Sequence, residues 1–451
     1  MELDLSKIKN VHFVGIGGIG ISAIARLMLS QEKDVTGQDM QEGLIVDELS
    51  KLGAKIMIGQ SYENIPADTE LIVYTTAIIT YDPKFFAKVK EQQKIPIRSY
   101  PEMLGIVTKD KYTIAVSGTH GKTTTTAMIA KILVDTGKDP SVIVGSLLNP
   151  STGSGQDPSS SSGQGKTNLI IGKSNFFVVE SCEYERSFLN LKPKILVITN
   201  IEEDHLDYYK DISDIESAFS QISEQTDNFI VCDPSSISVS SILKKKYKAK
   251  ILDYTQFLDK VPKLSVPGIH NRMNAAAALV VADFLNIKEE DAQKSIAQFS
   301  GTWRRLEKRG KTKDGTIIYD DYAHHPTEIK ASLEALRELY PAGEKKITVL
   351  FQPHLYSRTK ALFNDFAKCF KGADNIFLLP IFFAREDKDD SISSEKLASA
   401  ICLAGDKAKA FPDFGSSEIY IKDLNLGEND VFVTMGAGEA YKVADKVFSI
   451  S

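Results

Sequence analysis

The sequence predicts an α/β protein of three domains, Rossmann-like at both ends, with a P-loop-type domain of mostly parallel sheet between them. Three observations support this fold class. A chain of 451 residues has the length of about three ordinary domains. Buried-looking strands alternate with helical patterns throughout, and a glycine-rich turn follows a strand in each third of the chain. We expect the domains to cover residues 1–108, 109–302 and 303–451.

Composition narrows the class of protein. The chain is 42% hydrophobic and 25% charged, with a net charge of −6. It has no long basic run, which argues against nucleic acid or a membrane as partner. The opening "MELDLSKIKN" lacks the features of a signal peptide, so we expect a cytoplasmic protein. The four cysteines have no close paired spacing and predict neither a disulfide framework nor a zinc site: Cys182, Cys232, Cys369 and Cys402.

The first domain begins with a strand, a glycine turn and a helix in "VHFVGIGGIGISAIARLML". The turn contains Gly15, Gly17 and Gly20, and a second strand, "DVTGQD", ends at Asp39, where a βαβ unit places a ribose-binding carboxylate. The pattern alone fits a nicotinamide or flavin cofactor, the pyrophosphate of a UDP-sugar, or a tight turn without a ligand. Asp39 also fits an exposed residue at the end of a strand.

The central domain opens on "IAVSGTHGKTTTTAMIA", a buried strand that runs through a loop into an apolar helix. Unpaired backbone N–H groups and the helix dipole attract an anion there. Gly118 and Gly121 allow a phosphate to approach, Lys122 can reach the terminal phosphates, and Thr123 can hold Mg²⁺. The spacing is shorter than in an ordinary P-loop, whose first glycine is replaced by Val116. We predict a phosphate cradle.

Two further segments of the central domain carry candidate ligands. Glu180 ends the strand "FFVV", where its carboxylate could share Mg²⁺ with Thr123, and His205 follows the next strand in "IEEDHLD" and could serve a second cation. A solvated acidic loop is the alternative. The Ser/Gly-rich residues 151–166 are predicted to be a flexible insertion without an assigned function.

The segment "VPGIHNRMNAAAAL" places polar side chains just before an alanine-rich helix. His270, Asn271 and Asn274 could cap that helix or contact the edge of an adenine.

The third domain repeats the alternation of strand and helix, and its strand ends collect histidine, aspartate and arginine. A helix is expected to begin at Pro326. We predict that these side chains line a substrate cleft: Asp320, Asp321, His324, His325, His354, Arg358, Arg304 and Arg305. For Arg304 and Arg305, the alternative is that they are solvated arginines of a linker. The later turn "MGAGEA" is interpreted as structural. All seven histidines lie in or beside such motifs, which favours ligand or metal roles, with a satisfied core residue as the alternative for any one of them: His12, His120, His205, His270, His324, His325 and His354.

Taken together, the motifs resemble the Mur ligase family, which builds the peptide stem of bacterial peptidoglycan. Six of them occur in family order: "VHFVGIGGIG", "GTHGKTTTT", "TNIEEDHLDYY", "GIHNRMNAAAA", "DDYAHHPTE" and "FQPHLYSRT". The resemblance is strongest to the branch that joins L-alanine to UDP-N-acetylmuramate. It implies a cytoplasmic enzyme of cell-wall synthesis that uses ATP and Mg²⁺ and forms an acyl phosphate. A monomer or homodimer is expected.

The resemblance also implies roles for particular residues. The UDP-sugar site would comprise Gly15, Gly17, Gly18, Ile19, Gly20, Asp39 and Thr76. ATP would be bound by Gly118, Thr119, His120, Gly121, Lys122, Thr123, Thr124, His270, Asn271, Asn274, Arg305 and Asp321. Metal ions would be held by Thr123, Glu180 and His205. The amino acid and the muramyl carboxylate would meet Tyr322, His324, His325, His354 and Arg358. Catalysis would depend on Lys122, His205, His324 and Arg358.

Some positions depart from the family pattern. Leu355 stands where relatives often have arginine, Cys182 where many have aspartate, and no lysine follows His205 near Ser220, where sister ligases carry a carbamylated one. Three alternatives remain: a ligase that recycles a preformed tripeptide, a nucleotide-sugar oxidoreductase that uses NAD, and a switch protein that only hydrolyses ATP. A folylpolyglutamate synthetase shares the short phosphate loop but lacks the N-terminal UDP domain, so the first glycine turn argues against it.

Overall fold

The structure, a computed structural model, describes residues 3–92, 94–148, 167–383 and 386–450. The Ser/Gly-rich stretch at 151–166 lies outside these ranges. Within them, the strands form three sheets. The first two sheets belong to one compact unit and the third to another. Among the described helices, none combines the length and hydrophobicity needed to cross a membrane.

The first sheet is parallel throughout and has the strand order β3-β2-β1-β4-β5. Its strands are β1 (Asn10–Val14), β2 (Asp34–Asp39), β3 (Lys55–Ile58), β4 (Leu71–Tyr74) and β5 (Ile97–Ser99). The helices of this segment are α1 (Ile19–Ser30), α2 (Leu44–Lys51), α3 (Ile78–Tyr81), α4 (Pro83–Gln92) and α5 (Tyr100–Thr108). The helix α5 begins with a capping box between Ser99 and Glu102, followed by a proline in its first turn.

The second sheet has the order β12-β11-β10-β6-β9-β7-β8 and is parallel except for the pair β7–β8. Its strands are β6 (Tyr112–Ser117), β7 (Ser141–Leu148), β8 (Thr167–Ile170), β9 (Phe176–Glu180), β10 (Ile195–Ile198), β11 (Phe229–Cys232) and β12 (Lys250–Asp253). The helices are α6 (Lys122–Asp135), α7 (Ile212–Glu224), α8 (Ile237–Ile242), α9 (Ile269–Phe284) and α10 (Glu289–Ala297). The central strands are continuous apolar runs, as a sheet covered on both faces requires.

The third sheet has the order β13-β14-β18-β15-β16-β17, and only β13 pairs in the antiparallel sense. Its strands are β13 (Glu307–Lys311), β14 (Ile317–Asp321), β15 (Lys346–Phe351), β16 (Asn375–Leu378), β17 (Ala408–Ala410) and β18 (Asp430–Met435). The helices are α11 (Pro326–Leu339), α12 (Tyr356–Ala361), α13 (Phe363–Phe366), α14 (Ser394–Leu403), α15 (Phe414–Asp423) and α16 (Tyr441–Val447). Two apolar clusters line this sheet, one around Phe351 and the other around Phe432.

Buried side chains of the first two sheets join in one apolar cluster, which runs from Phe13 and Met28 to Leu196 and Phe219. The first two sheets therefore share one apolar core.

Candidate functional site

The glycine turn after β1 lies where the sequence predicted it, and its glycines are required by close contacts. Gly15 has a φ of 75°, and a Cβ on Gly20 would lie 2.7 Å from the ring of Tyr100. Asp39 ends β2 as expected, and its Oδ2 accepts a 2.8 Å hydrogen bond from the backbone N–H of Gly17. Thr76 lies in the turn after β4, but it is the neighbouring Thr75 that packs against Gly15.

The phosphate cradle is built as a strand, a loop and the start of a helix, as predicted. β6 ends at Ser117, and α6 begins at Lys122. Gly118 and Gly121 have φ values of 136° and 82°, which side-chain-bearing residues rarely adopt. A Cβ on Gly121 would lie 2.5 Å from Oδ1 of Asn274. The predicted adenine residue Asn274 is thus brought directly against the cradle.

Lys122 turns back over the cradle. Its Nζ lies 2.5 Å from the carbonyl oxygen of Gly118, 3.1 Å from that of Thr119 and 3.0 Å from the Glu183 carboxylate. Burial opposes the charged lysine, but the Glu183 carboxylate outweighs it and holds the pKa of Lys122 above its usual value. The ammonium is therefore charged throughout the physiological range.

Glu180 lies at the foot of the cradle beside Thr123. Its Oε1 accepts a 3.0 Å hydrogen bond from the Thr123 hydroxyl, and its Oε2 accepts one of 2.6 Å from the N–H of Gly145. A Cβ on Gly145 would come within 2.6 Å of the carboxylate, so only glycine fits there. A hydroxyl and a carboxylate in contact are the hard oxygen donors that Mg²⁺ prefers, and the pair fits the predicted metal site.

The cradle is also held by two residues that the sequence analysis did not assign, and both directly follow the neighbouring strand β10. The side chain of Asn200 accepts a 2.9 Å hydrogen bond from the N–H of His120 and donates one of 3.1 Å to its carbonyl. The Thr199 hydroxyl donates to the same carbonyl at 2.5 Å. The Thr119 hydroxyl accepts from the N–H of Glu202 at 2.8 Å. The motif "TNIEEDHLDYY" therefore begins with the supports of the phosphate loop.

The other predicted residues of this region lie in or beside these loops. Nε2 of His120 lies 3.5 Å from the Glu202 carboxylate, and Thr124 is in the first turn of α6. His205 lies in the loop that follows β10 and has a φ of 55°, an uncommon backbone conformation for a residue with a side chain. Ser220 is a buried residue of α7, with its hydroxyl 3.2 Å from that of Tyr247.

The expectation that His270, Asn271 and Asn274 precede a helix is wrong. The helix α9 begins at Ile269, so all three lie in its first two turns. The reason is local: the Asn271 amide donates a 2.7 Å hydrogen bond back to the carbonyl of Pro267, and Gly268, with a φ of 99°, makes the turn into the helix. Burial lowers the pKa of His270, so it is neutral near pH 7.

The predicted cleft role of Arg304 and Asp320 is not what the structure shows. Both side chains are buried, and Nε of Arg304 lies 2.9 Å from Oδ2 of Asp320. The same guanidinium donates to the carbonyls of Gly436 and Gly438, at 2.6 and 3.0 Å. This pair fixes the turn "MGAGEA" after β18, in agreement with the structural interpretation of that turn.

Asp321, the next residue, is also buried at the end of β14. Its carboxylate accepts hydrogen bonds from the N–H of Ala323, at 3.1 Å, and from the Ser332 hydroxyl. Burial raises the pKa of Asp321 to about 6, against the opposing effects of Ser332 and Arg305.

Glu328 in the first turn of α11 joins several of the predicted residues, and the sequence analysis missed it. It accepts hydrogen bonds from the backbone N–H groups of His324 and His325, at 3.0 and 3.3 Å. Arg305 lies 3.8 Å from the same carboxylate and over the ring of Tyr322. His325 caps α11, which begins at Pro326 as predicted.

The remaining substrate residues also come together. The ring of His324 packs edge-on against those of Tyr322 and His354, with centroids 5.3 and 5.9 Å apart. Nδ1 of His354 lies 3.3 Å from a guanidinium nitrogen of Arg358, one turn further along. Leu355 between them is buried and has a φ of 69°. A buried leucine therefore stands where relatives often have arginine.

His12 is the exception among the seven histidines. It is fully buried in β1, where Nδ1 lies 2.8 Å from the Thr36 hydroxyl and Nε2 lies 3.1 Å from Nε2 of Gln38. Burial lowers the pKa of His12 to about 4. It is a satisfied core residue, and the ligand role suggested by the clustering of histidines does not extend to it.

A glycine turn on the first sheet, a short phosphate cradle on the second, and a cluster of histidine and arginine on the third define a class of nucleotide-binding α/β proteins. Three family models match successive parts of the chain. The Mur ligase family catalytic domain matches residues 10–112, the Mur ligase middle domain residues 116–282, and the Mur ligase glutamate ligase domain residues 304–438. The chain belongs to the Mur ligase family.

Full-length relatives bear the name UDP-N-acetylmuramate–L-alanine ligase. That of Caldanaerobacter subterraneus subsp. tengcongensis is 38% identical over 99% of this chain and 98% of its own, and that of Clostridium kluyveri is 39% identical over 99% of each. The crystal structure of the alanine ligase MurC from Thermotoga maritima superposes with a TM-score of 0.78 at 27% identity, covering 97% of this chain and 98% of the other. A murein peptide ligase from Psychrobacter arcticus shares the fold, with a TM-score of 0.69 at 19% identity, over 97% and 98% of the two chains. The expected family and fold are confirmed.

Proposed function

We propose that this chain is the ATP-dependent ligase that joins L-alanine to the lactyl carboxylate of UDP-N-acetylmuramate, at the first step of the peptidoglycan stem peptide. The observation that carries the proposal is the Lys122 cradle with Glu180 at its foot, in a chain that matches alanine ligases over its whole length. The substrates belong to the cytoplasm, where we place the protein as a monomer or homodimer.

The chemistry requires two steps, because a carboxylate at neutral pH is a poor electrophile. A lactyl carboxylate oxygen attacks the γ-phosphorus of ATP, ADP leaves, and an acyl phosphate forms. The neutral amine of L-alanine then attacks the acyl carbon, and inorganic phosphate leaves as the amide bond forms. One ATP is cleaved for each amide, and the amine proton passes to a base or to solvent.

The cradle residues serve the first step. Backbone N–H groups of Gly118 to Thr123 bind the phosphates at the start of α6, and the Lys122 ammonium stabilises charge on the transferred phosphoryl group. Thr123, Glu180 and His205 would hold Mg²⁺, which neutralises phosphate charge when bound. His270, Asn271 and Asn274 would contact the adenosine part of ATP. Of these three, Asn274 lies against Gly121 of the cradle.

The third segment contributes residues to both steps. Arg305 and Asp321 would contact ATP, while Tyr322, His324, His354 and Arg358 orient L-alanine and the muramyl carboxylate. Arginine suits this task because its guanidinium pairs with a carboxylate through two hydrogen bonds. We assign UDP-sugar binding to residues 1–108, ATP binding to 109–302 and amino-acid binding to 303–451. Gly15 to Gly20, Asp39 and Thr76 would hold the UDP-sugar.

The test is phosphate release from ATP with UDP-N-acetylmuramate and each amino acid in turn. Release should require both the sugar nucleotide and L-alanine, and Lys122→Ala should abolish it. A tripeptide replacing L-alanine tests the recycling ligase of the same family. Release that ignores the sugar nucleotide would refute the proposal.

A further inference from the structure

The Lys122 ammonium lies within hydrogen-bond distance of three acceptor groups of the protein itself. Two are the carbonyl oxygens of Gly118 and Thr119, at 2.5 and 3.1 Å, and the third is the Glu183 carboxylate, at 3.0 Å. An ammonium has only three donors. A phosphate oxygen therefore gains a hydrogen bond from Lys122 only when one of these partners gives way or shares.

Glu183 is the charged member of the three. Its side chain is 3% exposed, against 14% for that of Lys122, and it lies in the turn that follows β9. The Tyr209 hydroxyl donates to the backbone carbonyl of Glu183, which ties this turn to the protein. A buried carboxylate in contact with the lysine offsets a substantial part of its attraction for a phosphate, because screening by water is weak there.

Glu180 adds a second negative charge to the same cradle. Thr123 and Gly145 donate hydrogen bonds to it and leave its charge in place. With Lys122 counted as positive and Glu180 and Glu183 as negative, these three groups sum to −1. Free ADP carries two more negative charges than its magnesium complex, so this cradle opposes free ADP more strongly.

We propose that Glu183 is a positioning residue for Lys122 and makes the cradle select the metal complex of the nucleotide over the free nucleotide. The inference rests on the proposed binding of ATP at this cradle. In this inference, two features cause the preference for the metal complex: the residues that bind the metal, and the negative charge of Glu183 beside Lys122. Removing that charge should favour free nucleotide, whereas shortening the side chain without loss of charge should not.

The test is titration calorimetry of ADP binding, in excess Mg²⁺ and in excess EDTA. The proteins are the parent chain, Glu183→Gln, Glu183→Asp and a control, Glu203→Gln, which removes the same charge from an exposed residue of the next loop. For Glu183→Gln we expect metal-free ADP to bind about tenfold more tightly and the magnesium complex to change much less. The ratio of the two dissociation constants should therefore fall, while Glu183→Asp and the control keep the parent ratio.

The outcomes separate the inference from the proposed function. An unchanged ratio in Glu183→Gln, or an equal fall in the Glu203→Gln control, overturns the role of Glu183. Failure of the parent protein to bind magnesium ADP overturns the nucleotide site itself. If thermal unfolding shows that Glu183→Gln does not fold, Glu183→Ala removes the same charge and is held to the same ratio.

Discussion

The Thr123 hydroxyl donates a 3.0 Å hydrogen bond to the carboxylate of Glu180, which the N–H of Gly145 holds from the other side. Thr123 lies in the first turn of α6 and Glu180 ends β9, a strand that pairs with β6 before the cradle. Their contact is the point where two oxygen ligands for a cation meet the phosphate loop.

Glu180→Gln should therefore impair phosphate transfer. The amide keeps the shape of the side chain but loses the charge that holds a divalent cation, so we expect phosphate release to fall at least about hundredfold. Steady-state kinetics over a range of Mg²⁺ concentrations measures this. A thermal unfolding curve close to that of the parent shows that the fold is intact. Parent-like activity would remove Glu180 from the metal site.

The two ends of α6 offer a matched pair of glycines for a test of the cradle. Gly121, at its start, and Gly137, after its end, have φ values of 82° and 72°. A Cβ on Gly121 would strike Asn274, whereas a Cβ on Gly137 has no atom within 4 Å. We expect both alanine variants to lose about 1 kcal/mol of stability from backbone strain. Only Gly121→Ala should also weaken ATP binding about tenfold or more, as measured by calorimetry. Equal ATP affinities would contradict the role of the Gly121–Asn274 contact.

The cradle was predictable because its signal is local. A buried strand, two glycines, a lysine and a helix follow one another in the chain, and each has its own sequence pattern. Thr199 and Asn200, which support the loop, were not assigned because their role depends on β10 lying beside β6. That pairing joins residues about 80 positions apart.

Burial explains the errors in the third segment. Arg304 and Asp320 were predicted to line a cleft because histidine, aspartate and arginine collect at the strand ends of this domain, where a substrate carboxylate could be bound. Their sequence gives no sign that the two charges pair with each other and with the carbonyls of Gly436 and Gly438. Arg305, next in the chain, instead contacts Glu328 and Tyr322. Arg304 therefore has a structural role, whereas its neighbour Arg305 keeps a candidate functional role.

Asp321→Asn should stabilise the protein at neutral pH while it impairs the reaction. The pKa of Asp321 in the fold, about 6, exceeds that of an unfolded aspartate, so folding takes up a proton between about pH 4 and 6. Its contribution to stability is most favourable below that window and declines as pH rises through it. We expect the asparagine variant to be more stable than the parent by about 1–3 kcal/mol at pH 7.5. The gain should shrink toward pH 4.

Denaturant unfolding at several pH values measures this difference, and the Ser332 hydroxyl can reverse to accept a hydrogen bond from the new amide. An asparagine variant less stable than the parent at pH 7.5 would show that the Asp321 charge is compensated in the fold.

His12 should impose the opposite pH dependence. Its pKa of about 4 in the fold lies below that of an unfolded histidine, so unfolding takes up a proton between about pH 4 and 6.5. The neutral ring therefore contributes fully above pH 6.5 and loses up to about 3 kcal/mol as pH falls to 4. His12→Gln removes the titrating group, and the stability gap to the parent should narrow from pH 7 to pH 4.5 in the same unfolding experiment. A constant gap would indicate that the buried ring does not titrate in this range.

Arg358→Lys should weaken the amino-acid site specifically. Lysine keeps the positive charge but loses the planar group that pairs with a carboxylate through two hydrogen bonds and lies 3.3 Å from His354. We expect the KM for L-alanine to rise about tenfold or more, with the KM for ATP within about twofold. Lys360→Arg on the same helix α12 is the matched control, because Lys360 is exposed and pairs with Asp389 at 3.1 Å. If the KM for ATP rises as much as that for L-alanine, Arg358 serves the nucleotide, and the assignment of this cluster to the amino acid is wrong.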